Sequence, residues 1–457
     1  MMRVILAAVV GLSLLTACSV NRKVAQPQLD MPEQLAGSVE QDSLCLGDLS
    51  WIGLFEDSLL TSLVDRALLY NKDMLVAYDR ICELERRHRV AAGGQFPAVG
   101  LEAYVDRETT QGPESPQVVD LEVSALLTLS WEIDFFGRLR WAKREAAADY
   151  LQTVEARRAL QMTLVAEVAS AYFELIALDK ELRIVQGTLA TRRENIHQAR
   201  LRFEGGLTSE IPYQQAQVEL AKTASMVPDL QLKIKMKENE ISFLTGSYPG
   251  TVERAMDYPV LMVEDVMRVG LPSDLIQRRP DVREAELAFK GAVAHAGIQW
   301  ADRFPRFVIG LDAGLEHGAF KGFFSSPLTY MVAQLTSPIF AFGRKKAQYE
   351  ASLAACQAKC HAYEERVLLA FHEVSNAVEA YGSAVENTRL MGNLKASSRK
   401  YVELALFQHL NGHINYLDVL DAQRSYFNSE IQHGNAIRDQ YLAMIDLYYK
   451  ALGGGWK

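Results

Sequence analysis

Trp131-Glu132-Ile133-Asp134-Phe135-Phe136-Gly137-Arg138 and Pro338-Ile339-Phe340-Ala341-Phe342-Gly343-Arg344 open two stretches of this chain that repeat each other. After the first no proline occurs until Pro212, and after the second none occurs at all. Gly137 answers to Gly343, Glu167-Val168-Ala169-Ser170-Ala171 to Glu373-Val374-Ser375-Asn376-Ala377, Gly206 to Gly412, and Ala216-Gln217 to Ala422-Gln423, each pair 206 residues apart. Upstream, Asp73 and Ala77 match Asp281 and Ala285, and Phe96-Pro97 matches Phe304-Pro305, now 208 apart. A repeat this long means two copies of one supersecondary unit sharing a core or an axis.

Ahead of each opening stretch the residues alternate. Val99, Leu101, Ala103 and Val105 interleave with Gly100, Glu102, Tyr104 and Asp106; Leu121 to Trp131 does the same at odd positions. Phe307, Ile309, Leu311, Ala313 and Leu315 follow suit, and a fourth strand runs from Leu328 to Ile339. These are two hairpins of strands about ten residues long, apolar on one face, which is the pattern of a transmembrane β-barrel. Four strands close no barrel, since the smallest need about eight and an open edge cannot sit in lipid. Hairpins placed in a membrane must therefore be pooled by several chains; two soluble, half-buried hairpins are the other reading of the pattern.

Behind each opening stretch the period lengthens. Leu151, Val154, Val165, Val168, Tyr172, Leu175, Leu182, Val185, Leu189 and Ile196 keep a three-and-four spacing, as do Leu353, Cys356, Cys360, Tyr363, Val367, Phe371, Val374, Val378, Tyr381 and Val385. Stripes over about 65 residues predict rods about 100 Å long. The rods end at tip glycines, Gly205 and Gly206 in the first copy and Gly412 in the second, and a second helix returns from each. Ser209 ahead of Pro212, and Asn415 three residues before Asp418, are the expected caps of the returning helices.

The N-terminus carries Arg3, an apolar run from Val4 to Leu15, and Leu15-Thr16-Ala17-Cys18. That is a secretory signal over residues 1–17, too short for a mature membrane helix. A polar stretch rich in Gln and Pro follows to about Gly47 and reads as a tether. At 457 residues the chain exceeds a single ordinary core. With 49% hydrophobic and 23% charged residues it is an ordinary folded protein. A net charge of -9 without a basic run argues against nucleic acid as partner. Nothing catalytic stands out: the nine His are scattered, and no zinc-protease, phosphate-loop or serine-elbow motif occurs. Apart from Cys18 there are Cys45, Cys82, Cys356 and Cys360. The last two fall on the buried stripe at i and i+4, a poor disulfide geometry, and read as small core residues; a metal site with His361 is the lesser reading. Whether Cys45 and Cys82 are bridged stays open.

Leu-Thr-Ala-Cys resembles a bacterial lipobox. Together with the run at 131–140, Leu275-Ile276-Gln277-Arg278-Arg279-Pro280-Asp281-Val282-Arg283, Pro338-Ile339-Phe340, Asn415-Tyr416-Leu417-Asp418-Val419-Leu420-Asp421-Ala422-Gln423-Arg424 and the closing Leu447-Tyr448-Tyr449-Lys450-Ala451-Leu452-Gly453-Gly454-Gly455-Trp456, the chain resembles the outer membrane efflux protein family, in its lipoprotein branch. The resemblance implies a mixed fold: a four-stranded contribution to a trimeric transmembrane β-barrel, plus long antiparallel helical hairpins forming a periplasmic tunnel. It implies residues 18–47 as a tether lipidated at Cys18 and 48–246 as the first repeat, with β-hairpin 98–131 and helical hairpin 137–246. Residues 247–271 become an inter-repeat equatorial segment, and 272–457 the second repeat, with β-hairpin 306–340 and helical hairpin 343–453.

The resemblance further implies a homotrimer in the outer membrane of a Gram-negative bacterium, serving a periplasmic adaptor and a proton-driven inner-membrane pump as the exit duct for drugs or metals. It implies no enzyme activity, no metal and no cofactor beyond the covalent lipid. Relatives close this duct at its periplasmic tip, and by motif position the gate residues are Leu417 and Asp421. On its own, Asp421 reads equally as a solvated-face carboxylate, and Asp418 as a helix-start carboxylate favoured by the dipole. Relatives lock the tip with arginines; here the second tip carries Phe407-Gln408-His409-Leu410, while the first has Arg200 and Arg202, which puts that lock in doubt. A type I protein-secretion duct is the alternative. A periplasmic adaptor lipoprotein, an enzyme and a purely structural coiled coil all leave the duplicated strands unexplained.

Overall fold

The computed structural model describes Pro27, Leu29 and residues 57–110, 118–259, 276–337 and 341–454. The signal, Cys18, the tether apart from Pro27 and Leu29, Cys45, Pro338-Ile339-Phe340, residues 260–271 of the 247–271 linker and Trp456 lie outside the described residues. The elements are α1 (Ser58–Tyr70), α2 (Lys72–Gly93), β1 (Ala98–Thr110), β2 (Val118–Ile133), α3 (Arg138–Glu204), α4 (Ile211–Leu244), α5 (Pro280–Ala301), β3 (Arg306–His317), β4 (Pro327–Thr336), α6 (Arg344–Leu410) and α7 (Tyr416–Ile445), closed by a π-helical turn, Asp446–Ala451. The described chain falls into two compact units, each drawing segments from both repeats.

The first unit holds the strands. They form one antiparallel sheet in the order β1-β2-β3-β4. The two hairpins lie side by side, joined through β2 and β3 from Val123↔His317 to Ile133↔Phe307. The ladders keep the alternation in register: Leu101 faces Leu127, Leu127 faces Ala313, and Leu129 and Leu311 continue the row to Met331. All odd-numbered strand residues therefore share one face. That face is mostly apolar and much of it is exposed, with Leu101 78% and Met331 72% exposed, while Val123 is buried. The even face carries Glu102, Asp106, Glu108, Asp120, Glu122, Glu132, Asp312 and Glu316, against Arg306 alone among basic residues. Just past the sheet, Trp300, Phe304, Phe136 and Tyr349 pack as a small aromatic cluster.

The second unit is helical around one large core. Val165, Val168, Tyr172 and Leu175 of the stripe are buried there, and so are Ala166, Ala169, Phe173 and Ile176 on the other sides of α3. The middle of α3 is thus buried over most of its circumference, and only a narrow line through Thr163 and Glu167 stays exposed. Leu151 and Val385, expected on the stripe, are exposed. An α-helix drifts about 20° per heptad from a three-and-four repeat, so one straight stripe cannot stay buried along 67 residues. The closing motif is core: Leu447, Tyr448 and Tyr449 are each 1% exposed or less. Burial drives the Tyr449 hydroxyl far above its ordinary range.

The duplication also appears in packing. Gly246 follows α4 with φ +66 and lies so close to the Tyr70 carbonyl that an added Cβ would stand 2.3 Å from its oxygen. Gly453, with φ +69, faces the Arg278 carbonyl at a wider spacing, where an added Cβ would stand 3.3 Å from its oxygen. Beside each contact a buried polar side chain secures the next helix. Asn71 Oδ1 accepts the Asp73 and Met74 amides and its Nδ2 donates to Leu244 O, while Arg279 pairs with Asp281 and Glu373.

Cys356 and Cys360 are both 1% exposed, and burial pushes both thiols up. Cys82 is half-buried on α2.

Candidate functional site: the helical tips

Each long rod ends by the same device. At the first tip the Gly206 amide donates to Phe203 O and the Leu207 amide to Arg202 O; at the second, Gly412 donates to His409 O and His413 to Gln408 O. Gly206 and Gly412 stand at φ +70 and +75. These are Schellman endings, whose left-handed residue is cheap only for glycine. Gly205 takes an ordinary φ and is the last donor of the helix, to Leu201 O.

The returning helices start differently. The cap of α7 is Asn415, and the Asp418 carboxylate accepts its backbone amide at 3.1 Å in a capping box. The cap of α4 is Glu210, not Ser209, and its side chain makes no capping bond. Pro212 in the first turn explains the tolerance, because it lacks one of the amides a cap would serve.

Once α7 begins, its faces are set. Val419 and Ala422 are buried against Ala405, Val402, Ile414 and Tyr416. Leu417 and Asp421, one turn apart, lie on the open side with Arg424 a further turn on; Leu417 is 40% exposed and the Asp421 carboxylate is ion-paired to Arg424. Leu417, Asp421 and Gly412 thus stand within one short stretch of the second hairpin, Gly205 and Gly206 close the first, and Cys18 lies outside the described residues.

Two features were not drawn from the sequence. Arg202 Nη1 lies 2.9 Å from His409 Nε2, tying the first tip to the second, and His409 Nδ1 lies 3.0 Å from Ile414 O. Arg200, the other arginine of the first tip, pairs instead with Glu204 on its own helix. Higher up, Arg192 is almost buried, ion-paired to Glu219 at 3.0 Å, hydrogen-bonded to Thr223 and set over the Phe427 ring. Burial lowers its affinity for its proton and Glu219 partly restores it. Nothing in the sequence marks either pairing.

The profile of the outer membrane efflux protein family matches residues 63–247 and 271–454, and the chain belongs to that family. Among its relatives, the solvent efflux pump outer membrane protein SrpC of Pseudomonas putida is 28% identical, over 98% of this chain and 97% of its own. The cation efflux system protein CusC of Escherichia coli is 27% identical, over 97% of each chain. In structure, the outer-membrane channel OprN matches with a TM-score of 0.85 at 27% identity, over 94% of this chain and 99% of its own. This is an outer-membrane protein with the fold of those channels, in a family of transport proteins.

Proposed function

We propose that three copies of this chain pool their sheets into a closed twelve-stranded barrel, and that the helical hairpins continue it as a periplasmic duct, gated where Leu417 and Asp421 ring the axis. The observation that carries this reading is the sheet itself. Within the described residues it is an open strip whose outer strands β1 and β4 are paired on one side only, with a mostly apolar face on which Leu101, Leu127 and Met331 are exposed. Such a strip is stable in lipid only when its edges are paired. The apolar face then meets lipid and the acidic face lines the lumen.

The remaining expectations attach to this duct. Cys18 carries the lipid anchor. A periplasmic adaptor and a proton-driven inner-membrane pump deliver the cargo at the tips. SrpC is named for solvents and CusC for cations; the carboxylate-lined face of this chain favours cationic cargo. The test is conductance across a planar bilayer. Wild type is expected to pass little current, and Leu417→Ala or Asp421→Ala several times more. Equal currents in all three would remove the gate from these residues.

A further inference from the structure

We propose that Arg202 and His409 form a pH-sensitive clasp between the two tips of one protomer, closed while His409 is neutral and released when it is protonated. This rests on the reading of the tips as the closed end of a duct.

The clasp fixes one protonation state by donor and acceptor type alone. A guanidinium only donates, so His409 Nε2, 2.9 Å from Arg202 Nη1, accepts. A carbonyl only accepts, so His409 Nδ1, 3.0 Å from Ile414 O, donates. The imidazole is therefore the neutral Nδ1–H tautomer. A second proton on Nε2 sets two donors and two positive charges against each other at hydrogen-bond distance. Histidine is the side chain suited to make this change between about pH 5 and 8.

The surroundings sharpen the switch. The titratable groups facing the ring are Arg202 from the end of α3 and Tyr416 from α7, whose ring centroid is 5.6 Å away. Among the described residues no carboxylate forms an ion pair with His409 that would hold the imidazolium in place. Tyr416 Oη is sealed from solvent without a hydrogen-bond partner among the described residues, and so offers the charged ring an acceptor once Arg202 has let go.

The consequence reaches the gate through the backbone. Ile414 immediately precedes the cap residue Asn415, and its side chain packs with Val419 and Ala422. The His409–Ile414 bond therefore sets where α7 starts, and with it the position of Leu417 three residues on.

The test compares wild type, His409→Gln, Arg202→Met and Leu417→Ala in planar bilayers at about pH 7.5 and about pH 5.5, with the imidazole 15N spectrum of wild-type His409, assigned by its loss in His409→Gln. Wild-type conductance is expected to rise about tenfold on acidification, the worth of one charge-assisted hydrogen bond. His409→Gln, which keeps an acceptor but cannot titrate, should stay low at both values, and Arg202→Met should be high at both. The neutral spectrum should be that of the Nδ1–H tautomer. Wild-type conductance that ignores pH, or an acid response kept in His409→Gln, overturns the clasp while a leaky Leu417→Ala upholds the gate. A Leu417→Ala no leakier than wild type removes the gate reading, and the clasp's role in transport with it. An Nε2–H tautomer overturns the clasp however the variants fold.

Discussion

The Asp421 carboxylate is held by Arg424, one turn further along the same face of α7, and both side chains are about half exposed, at 51% and 55%. Each protomer thus brings its own counter-ion to the carboxylate that the duct model places at the constriction. An exposed pair of this kind contributes about 0.2–1 kcal/mol. Arg424→Ala should leave thermal stability within about 0.5 kcal/mol of wild type. It should lower the concentration of a divalent cation that half-blocks the current by about two- to fivefold, and Asp421→Asn should abolish the block. Block unchanged in both variants would place Asp421 on a solvated outer face.

Gly246 and Gly206 separate two costs of replacing a glycine. Both have positive φ, but around Gly206 there is open space, whereas an added Cβ at Gly246 meets the Tyr70 carbonyl. Gly206→Ala should cost about 1–2 kcal/mol, the penalty of the left-handed conformation alone. Gly246→Ala should cost clearly more, because two backbones must part. Thermal denaturation in detergent measures both; equal losses would mean that α1 and the end of α4 separate easily.

Acid sensitivity should centre in part on Glu238. Burial pushes its carboxyl up, but hydrogen bonds from Arg254, at 2.6 Å, and Lys235, at 3.2 Å, outweigh it and bring the group below its ordinary 4.5. The folded state therefore binds this proton more weakly than the unfolded chain. Its contribution is present above pH 4.5 and is lost as pH falls through the depressed folded value. The melting temperature should decline below that pH, and Glu238→Gln, already weaker at neutral pH, should decline less steeply. Parallel curves would show that Arg254 is satisfied by Asp179 alone.

On the even face of the sheet Asp106 stands directly opposite Glu122, and Glu108 opposite Asp120. Directly opposed like charges weaken a strand pair. If this face lines a lumen, reversal potentials in a salt gradient should show cations favoured over anions, and Asp106→Asn with Glu122→Gln should reduce that preference while stabilising the hairpin. No ion preference in wild type would turn the acidic face away from the lumen.

The strands, the long rods and the tips were legible because each is fixed by a short-range signal: alternation, three-and-four spacing, or a glycine at the turn. The sequence also placed Asn415 and Asp418 correctly as a cap. It misassigned Ser209, since Pro212 had already removed the need for a side-chain acceptor. Leu151 and Val385 looked buried only because a long helix was read as a straight stripe. What remained hidden depends on residues about 200 apart meeting in space. Arg202 with His409 is a contact of this kind between the repeats, and no local pattern announces it. The pairing of β2 with β3 belongs to the same class.

The central claim, that separate chains close one barrel, is tested most directly by the mass of the purified protein in detergent or lipid nanodiscs. Three chains per particle are expected, with a single population that persists on dilution. A monomer that stays folded and inserted in lipid would contradict it, since β1 and β4 would then sit in the membrane with open edges.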